Sequence, residues 1–204
     1  MADLLDSPIR LGMEEFHAFY NERPERENWE LIDGVAMMMS PPTLMHQRIS
    51  GNLAALLNRR LDSVKPEWRA DREIGVWLPK DERYNPEPDV TVIDTEIGRD
   101  QIYAERFYFV AEVLSESNRP ELRPGSDEPV FLAKKLAYYQ AHAHCRAVLI
   151  VRQDRIEATF YTRPNAFAPV LLTNPDERLV IPDIGDIGSL ADLYRHTPLW
   201  PTSR

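Results

Sequence analysis

Apolar residues recur at three-to-four spacing in three stretches of the chain. In "SPPTLMHQRISGNLAALLNRRLD", Met45, Ile49, Leu53, Leu56, Leu57 and Leu61 fall on one helical face, and Ser40 or Thr43 can cap its start. "VFLAKKLAYYQAH" predicts a second helix, and "LGMEEFHAFYNE" a short opening one. Elsewhere the pattern is that of strands. "REIGVWL", "PDVTVID" and "FYFVAEVLS" form three candidates, followed by "RAVLIVR" and "RIEATFYTR" around a turn at Gln153 and Asp154. "WELIDGVAMMMS" predicts a hairpin turning at Asp33 and Gly34, with Met37, Met38 and Met39 as core filling. "ESNRPELRPGSDEP" is a polar loop long enough for a lid or mobile segment. The tail adds a short strand or two and a helical turn near "SLADLYR". The order α, ββ, α, βββ, α, ββ predicts an α+β (mixed α/β) fold, a mixed sheet flanked by helices.

Composition narrows this picture. The 204 residues suit a single domain spanning 1–204 with a sizeable core, at 43% hydrophobic residues. No internal repeat is visible, no apolar run approaches a membrane span, and "MADLLDSPIR" lacks the make-up of a secretory signal. A lone cysteine, Cys145, excludes an internal disulfide and a multi-cysteine zinc site, and fits a reducing cytoplasm. The net charge of −9 argues against a basic nucleic-acid coat protein. The charge is uneven, however. Residues 43–75 carry +2 and residues 119–155 carry +3, leaving −14 elsewhere, so local phosphate binding stays open.

One residue breaks the apolar pattern. Alternation over 107–114 puts Phe107, Phe109, Ala111 and Val113 on one face and Tyr108, Val110, Glu112 and Leu114 on the other. Glu112 thus lies on an otherwise apolar row, where an ionised carboxylate needs a partner or a metal. The preceding strand begins with Asp89, directly after Pro88, which holds Glu87 extended. If the two strands are neighbours, the two carboxylates meet, and such an all-oxygen pair suits Mg²⁺ or Mn²⁺. The alternative is that Asp89 caps a loop and Glu112 pairs with an arginine or lysine. Glu30, between Trp29 and Leu31, faces either solvent or the carboxylate pair, and Asp33 is a turn former beside Gly34. Lys134 and Lys135 point about 100° apart around their helix, so one can face the sheet while the other is solvated.

"WELIDGVAMMMSPPTLMHQRISGNLAALL", "PEPDVTVID", "VAEVLSESN" and "KLAYY" together resemble the Uma-type putative restriction endonuclease family, part of the PD-(D/E)XK nuclease superfamily, over roughly residues 12–195. The resemblance implies a restriction-endonuclease-like fold. It implies Asp89 and Glu112 as metal ligands, with the Val113 carbonyl as a third, and Lys135 as the site's lysine. Glu30 would bind a second metal or orient water, and His46 would touch phosphate or metal, or simply close the helix end. The broad superfamily pattern places a lysine two residues after the acid, where this chain has Leu114. The charge must therefore come from the helix, at Lys135, with Lys134 in reserve.

The function implied is a Mg²⁺-dependent (or Mn²⁺-dependent) endonuclease on DNA, cytoplasmic and homodimeric, releasing a 3′-hydroxyl and a 5′-phosphate. Lys135 would position or deprotonate the attacking water. Arg48, Arg59, Arg60, Arg119 and Arg123 are candidates for backbone contacts. The rival reading is a non-catalytic nucleic-acid-binding or protein-binding module that keeps the nuclease fold, favoured by the displaced lysine and acidic charge. A glycosidase-type carboxylate pair ranks last, with only scattered tryptophans to support a sugar cleft.

Overall fold

The computed structural model describes residues 10–78, 80–114 and 130–200. The long loop, with Arg119 and Arg123, lies outside the described residues, as does most of the N-terminal decapeptide. The elements run α1 (Met13–Asn21), β1 (Asn28–Ile32), β2 (Val35–Met39), α2 (Leu44–Val64), β3 (Trp68–Asp71), β4 (Val90–Asp94) and β5 (Phe109–Leu114). They continue with α3 (Val130–Ala141), β6 (Ala147–Arg152), β7 (Ala158–Thr162), β8 (Val170–Leu172), β9 (Arg178–Ile181) and β10 (Gly185–Ser189). A 3-10 turn over Leu190–Tyr194 follows.

Strands β3 to β8 form one six-stranded sheet in sequence order. All its neighbours are antiparallel except β5 and β6, which are parallel. A parallel pair needs a crossover, and α3 lies in that connection. β6, "AVLIVR", is buried at every position but its last, as its near-continuous apolar run requires of an inner strand. α2 covers one face of the sheet with Ile49, Leu53, Leu57 and Leu61, all fully buried against Val90, Val92, Ala111 and Leu149. Each such side chain contributes about 1.5–3 kcal/mol on leaving water. α3 packs on the other face through Leu132, Leu136 and Tyr139, against Phe107, Val110 and Val148.

Two local devices fix elements that later frame the pocket. The β1–β2 turn has φ 51° at Asp33 and 78° at Gly34, the paired positive angles of a tight hairpin. A side chain at Gly34 would meet Arg10 Cβ at 2.9 Å, so glycine is required there. At the start of α2, Thr43 Oγ1 accepts the His46 N–H at 3.2 Å and donates to Gln153 Oε1 at 3.1 Å. Thr43→Ala is expected to cost about 1–2 kcal/mol in urea unfolding, with Thr43→Ser recovering most of it. No loss in the alanine variant would show that the cap contributes nothing.

Three expectations differ from the structure. "REIGVWL" is not a strand: the chain turns at Glu73 (φ 56°), and Val76 makes only an isolated bridge to Ala104. Its alternation is real but serves packing, because Ile74, Val76 and Leu78 join the α3-side cluster without a ladder. The edge strand forms earlier instead, at Trp68–Asp71. Second, β5 starts at Phe109, so parity breaks before it. Tyr108 packs on the α2 side and Phe107 on the α3 side, the reverse of strict alternation. Third, the three methionines are not core. β2 pairs only with β1, outside the main sheet, and Met38 is 59% exposed.

Candidate active site

The register of β4 and β5 brings the two carboxylates together. Val90 stands opposite Ala111, so one further step of the same register sets Asp89 level with Glu112. Asp89 lies just before β4, after a proline that has no N–H for a ladder. Its Oδ2 instead accepts the Val113 N–H at 2.6 Å, tying β4 to β5 through a side chain. His46, in the first turn of α2, places Nε2 3.2 Å from the same oxygen. Burial depresses the His46 imidazolium, but the hydrogen bond and charge of Asp89, with Glu112 and Glu73, outweigh it and raise its pKa. The Nδ1 atom of His46 is buried without a hydrogen-bond partner among the described residues.

Lys135 reaches the same region from α3. Its Nζ lies 2.8 Å from Glu112 Oε1, and 2.8 and 3.1 Å from the two oxygens of Glu30. All three side chains are buried. Glu30 also accepts the Glu87 N–H at 2.7 Å, which anchors β1 to the segment leading into β4. Burial pushes Glu112 up to about 7, with the Lys135 charge opposing and Asp89 and Glu30 adding to the rise. Lys135 moves the other way from an ordinary buried lysine. Burial disfavours its charge, yet Glu112 and Glu30 together hold it as an ammonium well above the usual range.

These groups line a pocket of about 460 Å³. Glu30, Asp89, Glu112 and Lys135 lie on its walls with His46, Thr43 and Val113, as do Met37, Met38 and Met39. The donor set suits a hard divalent cation: two carboxylates and a backbone carbonyl, all oxygen. Each carboxylate spends one oxygen on protein partners, Asp89 Oδ2 and Glu112 Oε1. Among the described residues, nothing hydrogen-bonds to Asp89 Oδ1 or Glu112 Oε2. No group of three or more His, Cys, Asp and Glu forms a ligand cluster among the described residues. The two carboxylate oxygens left over would suit an open oxygen site completed by waters, not a closed protein cage.

Other candidates fall elsewhere. Lys134 points away from the pocket to Asp33, 2.9 Å distant, which also receives Arg10 and Arg83. The Lys134 and Arg10 hydrogen bonds hold the Asp33 carboxyl down at about 2. Asp33 is thus a charge hub as well as a turn former. Arg48 bonds the His196 carbonyl, and Arg60 the Ile184 carbonyl at 2.9 Å, so both fasten the C-terminal region to α2. Arg59 is exposed on the same helix. Two residues of the site escaped the sequence pattern. Tyr139 donates to Glu112 Oε1 at 2.7 Å, and the available signal was its place one helical turn beyond Lys135. Glu87 lines the pocket, its pKa raised by burial against the opposing Asn28 hydrogen bond.

Comparison with known proteins agrees with this architecture. The model of the Uma2 family, described as "Putative restriction endonuclease", matches residues 13–188. Among solved structures, a protein of Anabaena variabilis titled a putative nuclease belonging to DUF820 superposes with a TM-score of 0.68. The match is 15% identical and covers 90% of this chain and 97% of that one. At that identity it shows the shared fold. No curated protein matches the sequence. With the family model spanning most of its length, from α1 to β10, the chain belongs to the Uma2 family.

Proposed function

We propose that the protein is a divalent-metal-dependent endonuclease that hydrolyses DNA phosphodiester bonds through a PD-(D/E)XK-type site. The observation that carries this reading is Lys135 Nζ lying 2.8 Å from Glu112. The helix thereby supplies the positive charge that Leu114 cannot. The family's description as a restriction endonuclease supports the same chemistry. Asp89, Glu112 and the Val113 carbonyl would hold Mg²⁺ or Mn²⁺. The ion would stabilise charge developing on a phosphoryl oxygen and lower the pKa of the attacking water.

The chain's own residues then have separable tasks. Lys135, held as an ammonium by Glu112 and Glu30, is a positive charge and donor that orients water or phosphate. Glu30 keeps that ammonium in place from the opposite side. His46 orients Asp89 through Oδ2. The Met37–Met39 wall is the apolar side against which a nucleotide would lie. Two strands require two cuts, so the reading includes a homodimer with one site per protomer, and the lone buried Cys145 fits a reducing cytoplasm.

A second reading, a non-catalytic binding module that keeps the nuclease fold, draws on Leu114, where the broad superfamily pattern has a lysine, and on the net charge of −9. One experiment separates the two. Purified protein is incubated with supercoiled, linear, single-stranded and branched DNA, with Mg²⁺, Mn²⁺ or chelator, beside Asp89→Asn and Glu112→Gln. The nuclease reading expects cleavage of at least one form that chelator and both substitutions abolish. Binding without cleavage of any form supports the module, and cleavage that survives both substitutions excludes this site.

A further inference from the structure

Two donors from consecutive turns of α3 reach one carboxylate oxygen. Lys135 Nζ lies 2.8 Å and Tyr139 Oη 2.7 Å from Glu112 Oε1. Standing four residues apart, they share a helix face. Tyr139 is 0% exposed. Its ring is edge-on to Phe107, with centroids 6.1 Å apart at 87°, and edge-on to Tyr138 at 6.1 Å and 66°. A phenol locked this way has one rotatable proton, and that proton goes to Glu112. Its neighbour Tyr138 does different work: the Tyr138 hydroxyl accepts the Leu78 N–H at 2.9 Å, and its ring stacks on Tyr84.

We infer that Tyr139 is a positioning residue: its hydroxyl fixes Glu112 Oε1 and so leaves Oε2 as the oxygen offered to a divalent cation. This rests on the reading of Asp89 and Glu112 as metal ligands. Without the hydroxyl, Lys135 is the one side-chain partner of Glu112 among the described residues, and that ammonium is shared with Glu30. A carboxylate free to rotate presents its oxygens less often in the ligating geometry. Removing the hydrogen-bond partner of a metal ligand typically weakens metal affinity or activity by about 10–100-fold.

Tyr139→Phe keeps the ring and its packing while deleting the hydroxyl. Titration calorimetry of the full chain with Mn²⁺ is expected to show binding weakened by about 10–100-fold. DNA cleavage should return toward the wild-type rate at saturating Mn²⁺, because Lys135 is intact. Tyr138→Phe is the matched control: the same deletion next door should lower the melting temperature and leave Mn²⁺ affinity unchanged. Wild-type affinity in Tyr139→Phe, or equal weakening in Tyr138→Phe, would overturn the inference alone. Absence of Mn²⁺ binding by the wild-type chain would overturn it together with the reading of the site.

Discussion

Lys135→Met is expected to abolish cleavage and to destabilise the fold by about 3–5 kcal/mol at neutral pH, the cost of stranding buried charge. The ammonium sits between two buried carboxylates, 2.8 Å from Glu112 and 2.8 Å from Glu30. Methionine matches the stem but leaves both acids without their cation. The pH dependence follows from the direction of each shift. In the wild type the Lys135 pKa is raised above its ordinary 10.5, so its stabilisation is fully present below that value and is lost only above it. The variant lacks this contribution throughout the neutral range. Its Glu112, already pushed to about 7 with the lysine present, rises further. A folded-state pKa above the unfolded 4.5 means the native state binds protons more readily, so stability increases as pH falls toward that value. The deficit measured by urea unfolding should therefore be large at pH 8 and smaller at pH 5. An equal deficit at both values would show that Glu112 does not depend on Lys135 for its charge.

Asp89→Asn should reduce cleavage by at least about 100-fold, since it removes a ligand and not merely a ligand's partner. The amide keeps the shape and can still accept the Val113 N–H, so the fold should survive with a modest loss. His46 gives an independent readout by NMR titration. Burial is the largest influence on its pKa and lowers it, while Asp89 supplies the leading opposing effects. In the variant, burial is opposed by Glu112 and Glu73, and the His46 pKa should fall. The linkage changes accordingly. In the wild type the raised pKa stabilises the fold below 6.5, and that contribution is lost as pH rises through the folded value. The variant should lose this acid-side stabilisation. An unchanged His46 pKa would mean that the 3.2 Å contact does not persist in solution.

The elements legible in the sequence were those carried by strong local periodicity. α2 announced itself through Ile49, Leu53, Leu57 and Leu61, and the hairpin through Asp33 and Gly34, which need only their own neighbours to form. Period two failed where tertiary contacts overrode it. Residues 72–78 alternate because Ile74, Val76 and Leu78 pack on the α3 side, with a single bridge from Val76 to Ala104 and no ladder, and no local signal distinguishes this from a strand. The site shows the same division. Glu112 was conspicuous as a charge on an apolar row, and Asp89 followed from the proline before its strand. The choice between Lys134 and Lys135 depended on how α3 rolls over the sheet, which is a matter of packing. Glu30 left two orientations open because β1 is short; the structure buries it beside Lys135. Tyr139 was hidden for a related reason. A tyrosine in an apolar helix reads as core, and it is core, with only its hydroxyl turned to Glu112.

If Asp89 and Glu112 form one divalent-metal centre beside Lys135, anomalous diffraction from crystals soaked in Mn²⁺ should show a peak within about 2–2.6 Å of Asp89 Oδ1 and Glu112 Oε2, the range of metal–oxygen bonds, with the Val113 carbonyl as third protein ligand. The peak should disappear in Asp89→Asn. Mn²⁺ bound elsewhere in the molecule with none between these two carboxylates, at concentrations that support cleavage, would contradict it.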